Sequence, residues 1–302
     1  MRHFTKNEDL STAEVQQLID RAHQMSKLGH NLPLKFRGYQ LATLFYEPST
    51  RTRLSFMAAM NALGGSNIGF ESSASASVTK GESLSDTIRV VSQYADIIAL
   101  RHPDVLAPSI ALTSTEVPLI NAGNGSALHP TQTLADLMTI FENYHRLTNL
   151  TLVFTGDLKY GRTIHSLVKE LLRFGNNQFI FIAHPDLQIP TELRRQLQLT
   201  SCQFLELTTF DQLTSTPDII YLTRIQTERF TVTPKHIQSY LQAEQFTKLP
   251  LGPDTLIMHP LPRGPELPSS YDTRPQAKYF DQVRAGKYMR MALIEMLLTS
   301  AH

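Results

Sequence analysis

Phe45-Tyr46-Glu47-Pro48-Ser49-Thr50-Arg51-Thr52-Arg53-Leu54-Ser55-Phe56 joins two different periodicities within a few residues. Upstream, Tyr39 to Tyr46 is a short, mostly apolar run with the length of a buried strand. Downstream, Leu54 to Leu63 is apolar at helical spacing. Between them a turn built on Pro48 delivers hydroxyl and guanidinium groups to the start of the helix. Such a helix start is an oxyanion site. It offers free backbone N–H groups, the positive end of the helix dipole, and donors from Ser49, Thr50, Arg51 and Thr52. Taken alone, Ser49 or Thr50 reads equally as an ordinary N-cap and the arginines as solvated charges.

Strand, ligand-binding turn and helix is the repeating unit of an α/β fold, and the unit recurs along the chain. Working back, Ser11-Thr12-Ala13-Glu14 is a capping box opening a helix with Val15, Leu18, Ile19 and Ala22 on one face. Working forward, strands are expected at Ser66–Phe70, at Ile97–Leu100 stopping before Arg101, and at Val117–Asn121, with a helix from Leu84 to Tyr94. Pro130 suits the first position of a long helix reaching about His145, with Leu134, Leu137, Met138 and Phe141 buried. The pattern restarts with strand Leu150–Phe154 and a helix from Arg162 to Phe174. Further strands are expected at Gln178–Ala183, Gln203–Leu207, Ile219–Thr223 and Thr255–Met258, and a final helix over Met289–Leu298. The expected architecture is α/β: two doubly wound parallel-sheet domains joined by long helices. The first spans 1–134 and is completed by a C-terminal helix, 286–302; 135–147 is the inter-domain helix; the second domain is 148–285.

Composition narrows the function classes. A chain of 302 residues is long enough for two cores, and a formal net charge of +1 gives no general attraction to nucleic acid or to a membrane surface. Local basic clusters therefore suit small anions. The single cysteine, Cys202, excludes an internal disulfide framework and fits a reducing, cytoplasmic setting. It lies in Thr200–Leu205, which reads as a strand with a buried structural thiol. No apolar run reaches the length of a membrane span, and no signal-peptide core is present. The histidines show no H-E-x-x-H or Cys/His metal spacing, and neither a nucleophile elbow nor a P-loop occurs.

Five further blocks accompany the opening stretch. They are Arg101-His102-Pro103, His129-Pro130-Thr131-Gln132-Thr133-Leu134, Gly156-Asp157-Leu158-Lys159-Tyr160-Gly161-Arg162-Thr163, Thr223-Arg224-Ile225-Gln226 and His259-Pro260-Leu261-Pro262-Arg263. Together with Ser49-Thr50-Arg51-Thr52-Arg53, these blocks resemble the aspartate/ornithine carbamoyltransferase family, its aspartate branch above all, from about residue 40 onward. The resemblance implies carbamoyl transfer from carbamoyl phosphate to L-aspartate, giving N-carbamoyl-L-aspartate and phosphate early in pyrimidine synthesis. It implies that Ser49, Thr50, Arg51 and Thr52 hold the phosphate, with Arg101 also reaching it. Thr52, Arg101 and His129 donate to the carbonyl oxygen, and Gln132 faces the carbamoyl amide. Arg51, Thr52, Arg101 and His129 are thus the expected catalytic set. In the second domain Arg162 takes the α-carboxylate and Arg224 the β-carboxylate, with Gln226 positioning Arg224 or the amine side. The carbonyls of Pro260 and Leu261 accept from the amine and the carbamoyl NH₂, and the Leu261–Pro262 bond is expected to be cis.

The family also implies a homotrimer whose sites are shared: Ser77 and Lys80 come from a neighbouring subunit, Lys80 facing both substrates. Glu47 is implied to bridge to Arg162 and Arg229 when the domains close. The chemistry needs neither cofactor nor metal, because the amine is the nucleophile and carbamoyl phosphate is already activated. Regulatory chains stay open. So do two other readings, a carbamoyltransferase for a basic amino acid and a silent family member serving assembly. The first typically has cysteine in place of Pro260, and the second would lack an anion ligand. Pro265 stands where the family often has an acidic residue.

Overall fold

The computed structural model describes residues 1–72, 81–125, 128–200, 202–226 and 249–300. Ser77, Lys80 and Arg229 lie outside the described residues. The chain forms two compact units, Met1–Met138 with Arg284–His302, and Thr139–Val283.

In the first unit strands β1 (Gln40–Phe45), β2 (Ser66–Phe70), β3 (Ile97–His102) and β4 (Leu119–Asn124) form a sheet in the order β2-β1-β3-β4, every pairing parallel. Helices α1 (Thr12–Leu28), α2 (Thr50–Ala62), α3 (Leu84–Val91) and α4 (Ala107–Leu112) precede or connect them, and α5 (Pro130–Tyr144) follows. Burial on both faces explains the near-continuous apolar strands: β1 is buried from Leu41 through Phe45. Ala42, Leu44, Ile98 and Leu100 share one core cluster with Ile88 of α3 and Ala107 and Ala111 of α4. The capping box at α1 is present, with Ser11 accepting from the Glu14 amide and Glu14 accepting from the Ser11 amide.

In the second unit β5 (Thr151–Thr155), β6 (Gln178–Ile182), β7 (Phe204–Leu207), β8 (Ile219–Leu222) and β9 (Leu256–Met258) pair in parallel in the order β7-β6-β5-β8-β9. Helices α6 (Arg162–Phe174) and α7 (Thr191–Leu199) form the crossovers β5-α6-β6 and β6-α7-β7. Val153, Ile180, Ile182, Ile220, Leu222 and Ile257 belong to one core cluster. Their neighbours Phe154, Phe179, Phe181 and Tyr221 point the other way and pack ring on ring. This is the period of two that a strand imposes.

The last helix, α8 (Tyr279–Thr299), starts ten residues before the expected Met289. Its opening turns bury Tyr279 and Gln282 but expose Phe280 and Val283, so the apolar residues there do not fall on one face. Its later residues pack within the first unit. Arg290 is almost wholly buried, lies over the Phe56 ring of α2 with its guanidinium carbon 5.1 Å from the centroid, and donates to Ser55 Oγ at 3.1 Å. Glu295 accepts from Arg21 of α1 and from Lys35.

Three expectations need correction. Cys202 is not in a strand: α7 ends at Leu199, β7 begins at Phe204, and the half-buried thiol donates to the Asn177 carbonyl. Helix α3 stops at Val91, where the Ser92 hydroxyl turns back onto the Ile88 carbonyl. Arg101 lies within β3 and not after it.

Candidate functional site

In an open α/β sheet a crevice forms beyond the carboxyl ends of the strands where the strand order reverses. In the first unit that point lies between β1 and β3, since β2 is laid down on one side of β1 and β3 on the other. The chain leaving β1 is Tyr46-Glu47-Pro48-Ser49, and β3 ends with Arg101-His102. The sheet therefore brings the opening stretch beside Arg101, although more than forty residues separate them.

Ser49 occupies the N-cap position of α2, yet its hydroxyl makes no capping bond and is 3.0 Å from Thr52 Oγ1. The first-turn amides of α2 have no partner inside the helix and, with the dipole, favour an anion there. Arg51 is exposed at this end, Thr52 is buried, and Arg53 pairs with Glu71. Arg101 is buried and its guanidinium is held three ways. Nη2 meets Glu47 Oε1 at 2.7 Å, and Nη1 donates to the Ala122 carbonyl at 3.4 Å and to His129 Nε2 at 3.3 Å. A guanidinium has no acceptor, so this contact assigns the lone pair to His129 Nε2 and the ring proton to Nδ1.

Gly123 makes room for the guanidinium: its φ is +128°, and a Cβ there would sit 2.9 Å from Arg101 Nη1. Burial lowers the Arg101 pKa below the ordinary guanidinium value, Glu47 opposes the shift, and the positive charge of Arg51 adds to it. Two cations whose fields overlap in this way favour a bound anion. Gln132, in the first turn of α5, donates through Nε2 to Asp136 at 2.7 Å. That bond fixes the amide with its nitrogen toward Asp136.

The second unit repeats the arrangement between β5 and β8. Gly156 follows β5 with φ +107°, and a Cβ there would lie 1.9 Å from the Thr223 carbonyl oxygen, so only glycine lets the two strand ends approach. Next comes Asp157, fully buried, whose carboxylate accepts from the Tyr160 amide at 2.9 Å and the Gln226 amide at 3.2 Å. The Gln226 side chain returns the link by donating to the Tyr160 carbonyl at 2.9 Å. His165 Nε2 lies 2.7 Å from the Leu158 carbonyl, to which a protonated Nε2 donates, and burial lowers this imidazole's pKa. The turn carrying Arg162, first residue of α6, is thereby tied to the turn carrying Arg224, and both arginines are half-buried. Pro260 and Leu261 follow β9 on a third turn, where the Leu261–Pro262 bond is cis.

Among the described site residues, the first unit thus gathers Ser49, Thr50, Arg51, Thr52, Arg101, His129 and Gln132, and the second carries Arg162, Arg224, Gln226, Pro260 and Leu261. Two contributors were not singled out from sequence: Asp157 joins the two arginine turns, and His165 holds the turn between them. Glu47, expected to bridge to Arg162 and Arg229, supports Arg101 within its own unit. Asp157 did carry a signal, a carboxylate next to glycine at the end of an apolar strand. In each unit a carboxylate from the first strand's turn reaches across the point of reversal.

These features define a two-unit α/β protein with hydroxyl and guanidinium groups gathered at a helix start in one unit and two arginine-bearing turns braced together in the other. Residues 2–142 match the family model for the aspartate/ornithine carbamoyltransferase, carbamoyl-P binding domain, and residues 148–297 match that for the Asp/Orn binding domain. The chain belongs to the aspartate/ornithine carbamoyltransferase family. It is 43% identical over 300 residues to an aspartate carbamoyltransferase catalytic subunit of Finegoldia magna, covering 98% of each chain. The catalytic subunit of Methanocaldococcus jannaschii aspartate transcarbamoylase superposes with a TM-score of 0.92 at 43% identity, covering 99% of both chains. Aspartate transcarbamoylase of Trypanosoma cruzi, crystallised with N-(phosphonacetyl)-L-aspartic acid, superposes at 0.88 with 36% identity, covering 97% of this chain and 94% of that one.

Proposed function

We propose that this chain is an aspartate carbamoyltransferase catalytic chain, converting carbamoyl phosphate and L-aspartate to N-carbamoyl-L-aspartate and phosphate in pyrimidine synthesis. The observation that carries the choice of amino acid is the coupled pair of turns bearing Arg162 and Arg224. Two guanidinium forks on cross-braced turns match the two carboxylates of aspartate, whereas the terminal ammonium of ornithine would meet Arg224 with like charge. The relatives at 43% identity carry the same activity in their names, and the T. cruzi enzyme was crystallised with a ligand that joins a phosphonate to aspartate.

In this reading Ser49, Thr50, Arg51 and Thr52 hold the phosphate at the start of α2. Thr52, Arg101 and His129 stabilise the carbonyl oxygen as it becomes an oxyanion. Because His129 Nε2 accepts from Arg101, its donor toward that oxygen is Nδ1–H or, after Arg101 turns to substrate, a re-protonated Nε2. The aspartate amine attacks the carbonyl carbon, the C–O bond to phosphate breaks, and the departing phosphate on Arg51 takes up the amine proton. Alignment and oxyanion stabilisation supply the rate; no covalent enzyme intermediate is required.

The working assembly is a cytoplasmic homotrimer in which Ser77 and Lys80 complete a neighbour's site. Exposed Val90, Tyr94, Val105 and Leu106, on and beside α3 and α4, support subunit contact on the first unit. No helix among the described residues is long and apolar enough to cross a membrane. Carbamoyl transfer to L-aspartate, L-glutamate and L-ornithine at saturating carbamoyl phosphate tests the reading, with light scattering to give the mass. Aspartate should be favoured by at least about 10⁴, as where a wrong ligand leaves charged groups unpaired. The particle mass should be three times the chain's 34.1 kDa. Preference for ornithine would overturn the assignment.

A further inference from the structure

We infer that the buried His259–Glu266 pair is the positioning device that fixes the Pro260 and Leu261 carbonyls for the amino-acid substrate. The inference rests on the aspartate-carbamoylating reading but concerns residues outside the substrate contacts. His259 follows β9 directly, and both it and Glu266 are 1% exposed. His259 is anchored through its own amide to Gln282 Oε1 at 3.1 Å. Its ring works from both nitrogens: Nδ1 accepts from the Leu261 amide at 2.8 Å, and Nε2 lies 2.9 Å from Glu266 Oε1. The same carboxylate oxygen accepts from the Gly264 amide at 2.7 Å. Glu266 therefore ties together both ends of the turn that contains Pro260 and Leu261.

The backbone shows that this turn needs holding, and the space beside Gly264 shows how closely the carboxylate approaches it. Leu261 has φ +53°, a left-handed conformation unfavourable for a residue with a Cβ, which persists only where the surroundings over-determine it. Gly264 has no Cβ, and one placed there would lie 2.7 Å from Glu266 Oε2. The hydrogen-bond pattern also selects a single ring form. The Leu261 N–H requires a lone pair on Nδ1, so the proton sits on Nε2, and the carboxylate is the acceptor that receives it. A carboxylate that sets a histidine's tautomer and orientation is a known device in active sites. Burial acts to raise the Glu266 pKa, but the hydrogen bonds from His259 and the Gly264 amide outweigh it and lower the value, which keeps the acceptor ionised. Glu266, adjoining Pro265, supplies the acidic group of this turn.

Glu266→Ala removes the acceptor, and Glu266→Gln keeps an oxygen for both His259 Nε2–H and the Gly264 N–H. In the full-length protein, Glu266→Ala should raise the aspartate KM about tenfold and lower kcat, as expected when a positioning group is lost. Inorganic phosphate affinity, measured by calorimetry, should stay within twofold, and Glu266→Gln should recover most of the loss. Nitrogen chemical shifts of ¹⁵N-histidine-labelled wild type should show His259 protonated on Nε2 alone. That measurement holds whether or not the alanine variant folds, and whether or not aspartate is the substrate. The proposal is overturned by a proton on Nδ1, by a folded alanine variant with unchanged aspartate KM, by parallel loss of phosphate affinity, or by a glutamine variant as impaired as alanine. A wild type that does not carbamoylate aspartate would instead overturn the functional reading.

Discussion

Replacing Asp157 by alanine should uncouple the two arginine-bearing turns and weaken the second unit. The carboxylate is fully buried and accepts from the amides of Tyr160 and Gln226. Each amide left without an acceptor costs about 1–3 kcal/mol, so the pair loses roughly 2–6 kcal/mol. With a midpoint near 4 kcal/mol and about 2–4 °C per kcal/mol for a unit of this size, the melting temperature should fall by about 8–16 °C. The kinetic effect should be selective. Arg162 and Arg224 keep their charges but lose their fixed spacing, so the aspartate KM should rise about 10- to 100-fold. Phosphate affinity, which belongs to the other unit, should hold. Asp157→Asn keeps one acceptor but turns an NH₂ against one of the two amides, so about half the thermal loss is expected. Differential scanning fluorimetry, steady-state kinetics and phosphate calorimetry make the comparison. An alanine variant with unchanged melting temperature and unchanged aspartate KM would refute the reasoning, as would equal weakening toward both ligands.

Arg51→Ala should lower kcat at least a hundredfold, about 3 kcal/mol of transition-state stabilisation, with the melting temperature unchanged because the side chain is exposed; a folded variant within threefold of wild type would remove Arg51 from the mechanism. Glu295→Gln should cost the first unit about 1–2 kcal/mol at pH 7, a figure discounted for the exposure of Arg21 and Lys35. Burial acts to raise the Glu295 pKa, but the hydrogen bonds from Arg21 and Lys35 outweigh it and the value lies below the ordinary 4.5. A depressed folded-state pKa gives stability that is present above pH 4.5 and lost as pH falls toward the folded-state value. Urea midpoints should therefore drop more steeply below that pH in wild type than in Glu295→Gln, and parallel curves would rule the triad out.

The strands were legible because a parallel sheet covered on both faces leaves continuous apolar runs such as Leu41–Phe45 and Leu152–Thr155. Helix α7 was not, because it buries only Leu193 and Leu197, exposes Leu199 and is otherwise polar. Helix α4 is six residues long, shorter than two turns, so no periodicity could identify it. The amino-terminal segment gave no signal either. Phe4 is fully buried and bridges in parallel to Ile120 of β4, a pairing set by a partner more than a hundred residues away. The substrate-facing groups were readable from their motifs, whereas Glu47 and Asp157, which hold them, act through contacts that only the strand order creates; Glu266 acts within its own turn, through a backbone reversal that no periodicity announces.

The first unit is closed by residues 284–300, which are synthesised after every residue of the second. Domains generally fold as units during synthesis, earliest-made first, but here that order is broken. Until the tail emerges, α2 has no Arg290 against Phe56 and Ser55, and α1 has no Glu295 for Arg21. Met289, Leu293 and Leu297, all buried in the finished unit, are likewise missing. The nascent amino-terminal half thus waits with an unfinished core while its successor is completed. A stop codon or a ribosome stall near residue 285 would strip support from the oxyanion helix, some 230 residues upstream, and leave the second unit's sheet intact.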